Sequence, residues 1–252
     1  MLTNYHTHHY RCGHAEGEIE DYVLEAIKHG YAELGISCHV PYENFHEMGD
    51  HRMNYEDLIP YLQEIEILQE KYPQIKILKA FECEYYPQVH KYMEELVTQT
   101  DYLILAGHYI FHEGEYQSTF SLRQPEQLEI YAKQVRTAMQ TGLFKFLAHP
   151  DIFMTSYSEW DQACVAATHE IAKAALEYGV MLEVNANGLR RKGRPYPAVE
   201  FWTIVANDYP EIKILINSDH HVPTYLNDEY VKQARQMAKS LNLNVVSQLQ
   251  KN

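Results

Sequence analysis

Short apolar segments alternate with longer amphipathic segments along almost the whole chain. The apolar segments have the length of buried β-strands, and residues 102–108 are nearly uninterrupted, as in a strand covered on both faces. Strands are predicted at residues 2–6, 33–39, 75–84, 102–108, 143–151, 180–187 and 212–216. The amphipathic segments repeat apolar side chains at helical spacing and mostly end at glycine or proline. Helices are predicted at residues 16–29, 55–71, 88–99, 125–141, 161–178, 198–207 and 226–241.

Strands that alternate with helices predict a parallel sheet covered by helices. No long linker interrupts the pattern, so residues 1–252 are expected to form a single domain, either a closed barrel or an open doubly wound sheet. The sequence has neither a GxGxxG nor a GxxxxGK[ST] loop after any predicted strand, which argues against a dinucleotide or P-loop site.

Composition narrows the class of protein. The 252 residues are 46% hydrophobic and carry a formal net charge of −14, which disfavours nucleic acid and anionic membranes as partners. No segment has the roughly 18 consecutive apolar residues of a membrane span, and a signal peptide is not evident. The four cysteines form no CxxC pair, so a reduced, cytoplasmic protein is expected.

Histidine is the unusual residue of the composition, with 15 copies. His6 and His8 end the first predicted strand, and their spacing places both imidazoles on one face. Other donors lie at the C-terminal ends of later strands or just beyond them. The complete set is His6, His8, His14, His39, Glu82, His108, His149, Asp219 and His221.

In a parallel barrel these strand ends converge on one face, whereas an open sheet would spread them along an edge. The donor pattern therefore favours a distorted, TIM-like (β/α)7 barrel with a metal site at the C-terminal ends of its strands. Nine donors exceed the needs of one zinc ion, so two or three metal ions are expected, with Glu82 and Asp219 as bridging candidates. Mixed imidazole and carboxylate donors suit Zn, Mn or Fe.

The ordered series of donors resembles that of the polymerase-and-histidinol-phosphatase (PHP) superfamily and covers nearly the whole chain. Asn4 stands where that family often has Asp. The resemblance implies a distorted seven-stranded barrel with three metal ions. It assigns His6, His8, Glu82 and Asp219 to the first ion. It assigns Glu82, His108 and His149 to the second, and His14, His39 and His221 to the third.

The stretch from Glu183 to Pro197 is most similar to the histidinol-phosphate phosphatases of the superfamily. That similarity implies hydrolysis of L-histidinol phosphate to L-histidinol and phosphate, by attack of a metal-activated hydroxide on phosphorus. The alternatives are a PHP-type phosphodiesterase or exonuclease, a phosphatase for another small phosphomonoester, an amide or lactone hydrolase, and a metal-binding protein without activity. The oligomeric state is not predicted.

One dense basic cluster follows the sixth predicted strand, and guanidinium groups suit bidentate binding of phosphate. Arg190, Arg191 and Arg194 are the candidates to bind phosphate, with Arg190 first, and a solvated basic loop is the alternative. Tyr42 and Tyr109 are candidates to pack against an imidazole of the substrate, although ordinary core or rim aromatics are the simpler interpretation. Glu82 and Asp219 are expected to act in catalysis. The proton donor to the leaving alkoxide is left among His9, His220 and Glu84.

Overall fold

A computed structural model describes residues 1–43, 51–157, 159–191, 193 and 196–249. Its strands are β1 Leu2–Asn4, β2 Tyr31–Ile36, β3 Lys76–Glu84, β4 Tyr102–Ala106, β5 Tyr109–His112, β6 Glu115–Ser118, β7 Phe146–Leu147, β8 Met181–Asn185 and β9 Ile214–Asn217. Its α-helices are α1 Ile19–Lys28, α2 Leu58–Lys71, α3 His90–Val97, α4 Pro125–Gln140, α5 Gln162–Tyr178, α6 Ala186–Arg190, α7 Val199–Asp208 and α8 Glu229–Ser240. Within the described residues, no helix is long and apolar enough to cross a bilayer.

Seven of these strands form one parallel sheet in the order β1-β2-β3-β4-β7-β8-β9. The sheet nearly closes, because the chain after β1 pairs with the chain after β9. The His8 amide donates to the His220 carbonyl at 3.2 Å, and the Tyr5 amide donates to Asn217 Oδ1 at 2.8 Å. The predicted TIM-like barrel of seven parallel strands is therefore confirmed. The single-domain boundary at 1–252 stays a prediction.

Asn4 is one of the residues that close the barrel. Its Oδ1 accepts from the Ser218 amide at 2.7 Å, and its Nδ2 donates to the His6 carbonyl at 3.0 Å and to Thr7 Oγ1 at 2.9 Å. An aspartate could accept the first bond but could not donate the other two. Asparagine at this position therefore ties β1 to the segment after β9 with one hydrogen bond and fixes the turn after β1 with two more.

Two apolar layers pack on the sheet. The larger one lies between the sheet and the surrounding helices, where residues such as Trp202, Phe201 and Ile171 are fully buried. The smaller one fills the barrel interior with side chains from strands around the barrel. Its members are Tyr5, Leu78, Ala80, Tyr102, Ile104, Phe146, Ala148, Met181 and Leu215. Val246 and Leu249 of the C-terminal segment pack against this interior cluster.

Every second side chain of a barrel strand points into the barrel, and these inward side chains change from apolar to polar along the strand. On β3 the inward series runs Leu78, Ala80, Glu82, and on β8 it runs Met181, Glu183, Asn185. On each strand the apolar side chain lies nearer the N-terminal end and the polar one nearer the C-terminal end. The barrel therefore gathers its polar interior side chains at the C-terminal ends of the strands.

The largest differences from the sequence-based prediction lie in three places. The strand predicted at residues 180–187 ends at Asn185, and Ala186–Arg190 form the short helix α6. The predicted loop at residues 112–123 contains part of an antiparallel hairpin, in which β5 pairs with β6. Glu113 and Gly114 form its two-residue turn with φ of 51° and 85°, the positive values that such a tight hairpin needs. The predicted strand at residues 143–151 is reduced to Phe146–Leu147, because Pro150 and the positive φ of His149 end the extended conformation.

Candidate metal centre

The C-terminal ends of the barrel strands surround an open cavity of about 440 Å³. All nine predicted donors lie at this end of the barrel. The imidazoles of His6 and His8 follow β1, that of His39 follows β2, and Glu82 ends the inward series of β3. His108, His149, Asp219 and His221 follow β4, β7 and β9, and His14 lies after a turn of 3-10 helix at Tyr10–Cys12. The chain thus brings donors that are up to 215 positions apart into one cluster.

Glu82 lies at the centre of this cluster with its side chain only 1% exposed. Its Oε2 is 3.0 Å from His39 Nδ1 and 3.4 Å from both His6 Nε2 and His8 Nε2. Its Oε1 is 2.9 Å from His149 Nε2 and 3.6 Å from His108 Nε2. The two oxygens of one carboxylate therefore face two different sets of imidazoles, which is the geometry of a carboxylate that bridges two cations.

Asp219 provides the second carboxylate. Its Oδ1 lies 3.2 Å from His8 Nε2, 3.6 Å from His6 Nε2 and 3.7 Å from His221 Nδ1. This oxygen is buried, and no group in the described part of the chain donates a hydrogen bond to it. Its Oδ2 accepts from Asn185 Nδ2 at 3.1 Å and from Asn187 Nδ2 at 3.2 Å. One oxygen is thus held by amides, and the other points into the cluster.

A third group of imidazoles lies toward the open side of the cavity. His14 Nε2 is 3.0 Å from His221 Nε2, and the ring of His39 is 5.3 Å from that of His14. Nitrogen atoms of His8, His39 and His221 also lie within 4.8 Å of one another. His51, whose ring is 5.1 Å from that of His14, lines the same wall.

These distances fit metal ions. Two nitrogens that bind one zinc ion tetrahedrally at about 2.0–2.1 Å lie roughly 3.3 Å apart. His6 Nε2 and His8 Nε2 are 3.1 Å apart, and the His14–His221 pair is 3.0 Å apart. Two imidazole nitrogens of one such pair can share one hydrogen at most. The buried Asp219 Oδ1 has no hydrogen-bond donor among the described residues. A buried oxygen without a donor that faces imidazole lone pairs is satisfied by a cation, so the residues fit a metal centre.

The electrostatics of the cluster agree with this interpretation. Burial alone would raise the pKa of Glu82, but His6, His108 and His39 lower that pKa well below its usual range. Burial would raise the pKa of Asp219 as well, and His6 and His8 lower it. Both carboxylates are therefore ionised. Conversely, burial lowers the pKa of His221 to about 3, which leaves a neutral imidazole able to bind a cation.

Hydrogen bonds behind several imidazoles fix which nitrogen faces the cavity. His6 Nδ1 is 2.9 Å from Glu183 Oε1, and His108 Nδ1 is 2.9 Å from Glu84 Oε1. His14 Nδ1 is 2.9 Å from the Cys12 carbonyl. An acceptor at Nδ1 places the hydrogen there and leaves Nε2 free to bind metal. Sequence reasoning did not assign these roles to Glu183 or Glu84, although polar residues in apolar strands were a signal for them.

The predicted phosphate-binding arginines do not share one location in the structure. The guanidinium of Arg190 donates to Asp228 Oδ2 at 2.7 Å, to the Ser218 carbonyl at 2.6 Å and to the Tyr225 carbonyl at 2.8 Å. These bonds hold Arg190 behind the cavity wall, and its predicted contact with phosphate is not supported by this placement. Arg191 lines the cavity and is exposed, whereas Arg194 lies outside the described residues.

Arg52 also lines the cavity, although sequence reasoning missed it. Its Nη1 lies 3.2 Å from the Val40 carbonyl and 3.4 Å from Glu84 Oε2, and its guanidinium stacks on the ring of Tyr42. Tyr42 is buried and donates to the Glu84 carbonyl at 2.6 Å, so it supports Arg52 and does not line the cavity. Tyr109 does line the cavity, next to Phe120, whose ring is parallel to that of His108.

His9 and His220 do not reach the cavity. His9 is fully buried, its ring stacks on Tyr61 at 5.2 Å, and burial lowers its pKa to about 3. His220 is fully buried against Tyr22, and burial lowers its pKa as well. The structure therefore places both rings behind the donor cluster and in the core. Their role as proton donors stays a prediction.

A parallel barrel with a cage of histidine and carboxylate donors at its strand ends defines a class of metal-binding (β/α) barrel proteins. A family model described as the PHP domain matches residues 4–187. The chain belongs to the PHP family, as the donor series predicted.

Several relatives are similar over most of their length. A protein named "Probable histidinol-phosphatase" from Deinococcus radiodurans is 27% identical over 231 residues, which cover 88% of this chain and 87% of that protein. A protein of the same name from Schizosaccharomyces pombe is 24% identical over 251 residues, which cover 87% of this chain and 80% of that protein.

Solved structures share the fold. A candidate histidinol phosphatase, HisK, from Listeria monocytogenes superposes with a TM-score of 0.77 at 20% identity, and the match covers 91% of this chain and 99% of that one. Histidinol phosphate phosphatase (HisK) from Lactococcus lactis, complexed with zinc, L-histidinol and phosphate, superposes with a TM-score of 0.76 at 19% identity, with 99% of both chains covered.

Proposed function

We propose that this protein is a metal-dependent phosphomonoesterase that hydrolyses L-histidinol phosphate to L-histidinol and phosphate. The observation that carries the proposal is the cage around Glu82, whose two oxygens face separate sets of imidazoles beneath an open cavity. The names of the relatives and the ligands of the Lactococcus lactis structure support the choice of substrate.

Three divalent ions, of Mn, Fe or Zn, would be held as the family resemblance implies. The first would take His6, His8, Glu82 and Asp219, the second Glu82, His108 and His149, and the third His14, His39 and His221. Bound divalent ions supply a hydroxide nucleophile near neutral pH and neutralise charge on the phosphoryl group. One close pair of donor atoms in each group supports this division: His6 with His8 at 3.1 Å, His149 with Glu82 at 2.9 Å, and His14 with His221 at 3.0 Å.

The remaining cavity residues would bind and orient the ester. Arg191 and Arg52 place guanidinium groups on the cavity wall, and such groups bind phosphoryl oxygens well. Glu84 holds Arg52 on one side and His108 on the other, which sets the distance between this positive charge and the cage. Tyr109 and Phe120 form an aromatic part of the wall where an imidazole ring can stack.

The test is turnover by protein that has been freed of metal with a chelator and then supplied with Mn²⁺, Zn²⁺ or Fe²⁺. L-Histidinol phosphate is compared with serine phosphate, glycerol phosphate, a phosphodiester and single-stranded DNA. We expect kcat/KM for L-histidinol phosphate to exceed that for the other esters by about tenfold or more, since Tyr109 and Phe120 on the wall can stack on the imidazole of this leaving group. Glu82→Gln serves as the inactive control.

The alternatives that cleave phosphoesters each predict a different result in this panel. Equal rates on all phosphomonoesters would indicate a phosphatase for another small ester. Faster cleavage of the diester or of DNA would indicate a phosphodiesterase or exonuclease, which the net charge of −14 disfavours. Metal binding without hydrolysis of any ester would contradict the proposal.

A further inference from the structure

One barrel strand, β8, contributes none of the nine predicted metal ligands. The other six strands of the barrel each end in at least one. The C-terminal end of β8 instead carries Glu183 and Asn185, both fully buried. Buried polar side chains at this position need a structural or functional reason, because burying an ionisable carboxyl group is costly without partners.

Glu183 is satisfied by four donors, three from neighbouring segments and one from β8 itself. Its Oε1 lies 2.9 Å from His6 Nδ1 and 2.9 Å from Asn217 Nδ2. Its Oε2 accepts from the His149 backbone amide at 3.0 Å and from Asn185 Nδ2 at 2.8 Å. The carboxylate therefore links β8 to the segment after β1, to the segment after β7 and to β9.

The bond to His6 decides which nitrogen of that ring carries the hydrogen. With Nδ1–H directed at Glu183, Nε2 is left with a lone pair, and it lies 3.4 Å from Glu82 Oε2 and 3.6 Å from Asp219 Oδ1. A carboxylate behind a ligating imidazole also makes the ring a stronger base and fixes its orientation. Glu183 thus prepares His6 for the first metal position.

The bond to His149 acts through the backbone. His149 has a φ of 31°, in the left-handed region that residues other than glycine rarely adopt. Its amide is held by Glu183 Oε2, and in this conformation its Nε2 lies 2.9 Å from Glu82 Oε1. Glu183 thus also holds the residue assigned to the second metal position.

We propose that Glu183 is a positioning residue that couples metal binding at the first and second positions, through His6 and His149 together. The proposal rests on the metal-dependent function proposed above. It has an internal comparison, because among the described residues Glu183 makes no hydrogen bond to His14, His39 or His221, the donors assigned to the third position. Loss of Glu183 should therefore weaken two metal positions and leave the third unchanged.

The experiment is a zinc titration of the metal-free full-length protein against a chromophoric chelator, with Glu183→Gln compared with the native chain. Glutamine keeps the volume but replaces one acceptor oxygen with a donor. We expect the affinity of two of the three zinc ions to fall about 10–100-fold, the range typical of lost partners behind metal ligands, and that of the third to change less than about twofold. Glu33→Gln is the matched control, since Glu33 is a buried carboxylate at the opposite end of the barrel, bonded to Tyr5 at 2.8 Å.

A second readout does not depend on turnover. In the zinc-loaded protein, the His6 Nδ1–H should give a downfield, slowly exchanging proton resonance in a ¹⁵N-histidine spectrum, and this resonance should be lost in Glu183→Gln and retained in Glu33→Gln. Unchanged affinities in Glu183→Gln, or an equal loss at all three positions, would overturn the coupling.

A variant that fails to fold does not end the test. The same titration then uses Glu183→Asp, whose shorter carboxylate should weaken the first and second positions together; weakening of one of them alone contradicts the proposal. Hydrolysis of phosphomonoesters by the native protein tests the proposed function separately. If the native protein binds zinc with this coupling but hydrolyses no phosphomonoester, the positioning role of Glu183 is supported and the proposed phosphatase function is wrong.

Discussion

The segment after β1 and the β8–α6 segment lie at the same end of the barrel, but their polar side chains point in different directions. The first directs His6 and His8 into the cage, so that their Nε2 atoms are 3.1 Å apart. The second directs Glu183, Asn185 and Arg190 at neighbouring segments, and none of these three lines the cavity. Hydrogen bonds from β8, which supplies none of the predicted metal ligands, therefore hold several residues that are predicted to be ligands.

The largest expected effect comes from breaking the β1 side. His8→Ala removes an imidazole that faces both bridging candidates, at 3.4 Å from Glu82 Oε2 and 3.2 Å from Asp219 Oδ1. We expect kcat/KM for L-histidinol phosphate to fall on the order of 10³-fold, about 4 kcal/mol of barrier, with loss of bound metal. Steady-state kinetics and elemental analysis measure both. Native activity at native metal content would show that His8 is not a ligand.

The pH dependence of metal binding should also report on the β1 side. Burial alone would lower the pKa of His8, but interactions with Asp219, Cys12 and Glu82 raise it to about 9 in the metal-free protein. Metal binds the deprotonated ring, so below this pKa binding must displace a proton. Affinity should rise about tenfold per pH unit for each displaced proton below this pKa, and level off near pH 9.

The titration of His8 should have the opposite effect on the metal-free protein, whose free energy of unfolding should fall as the pH rises. The folded pKa of His8 lies above the unfolded value of 6.5, so its contribution is complete below pH 6.5 and is lost as the pH rises to about 9. Thermal unfolding of the metal-free protein across this range measures it, with His8→Gln as the variant that lacks the titration. The same pH dependence in both proteins would assign the effect to other groups.

On the β8 side we expect a smaller effect from Asn185→Ala. This change removes the amide that holds Asp219 Oδ2 at 3.1 Å and Glu183 Oε2 at 2.8 Å. Asp219, whose φ is 45°, would be less well oriented, and metal affinity should fall about tenfold while the fold is kept. Added metal should then restore most of the activity. A loss as large as that of His8→Ala would instead make Asn185 a direct participant.

The smallest effect on activity is expected for Arg190→Ala. Its guanidinium holds Asp228 and the Ser218 carbonyl, next to Asp219, so the change should lower the free energy of unfolding by about 1.5–3 kcal/mol. The KM for L-histidinol phosphate should stay within about twofold of the native value, whereas Arg52→Ala should raise KM about tenfold, because Arg52 lines the cavity. Denaturant unfolding and kinetics on both variants distinguish support from substrate binding.

Much of the fold was predictable because its signals are local. Apolar strands that alternate with amphipathic helices predicted a parallel sheet. The placement of donors such as His6, His39 and His108 after strands favoured a closed barrel, in which these donors would meet. The hairpin at Tyr109–Ser118 was missed, since Glu113-Gly114 is a weak turn signal beside an apolar strand.

The sequence by itself indicated the parallel sheet, the family and the candidate donors. The period of side chains along a strand and the polarity of parallel strands follow from covalent geometry, and the ordered donor series is typical of the family. Only the tertiary structure decided what the remaining polar residues do. Arg190 and Arg191 are adjacent in the chain, yet one is bonded to Asp228 behind the wall and the other faces the cavity. Arg52 and Glu183 acquire their places from partners far away in sequence, and no local pattern encodes such contacts.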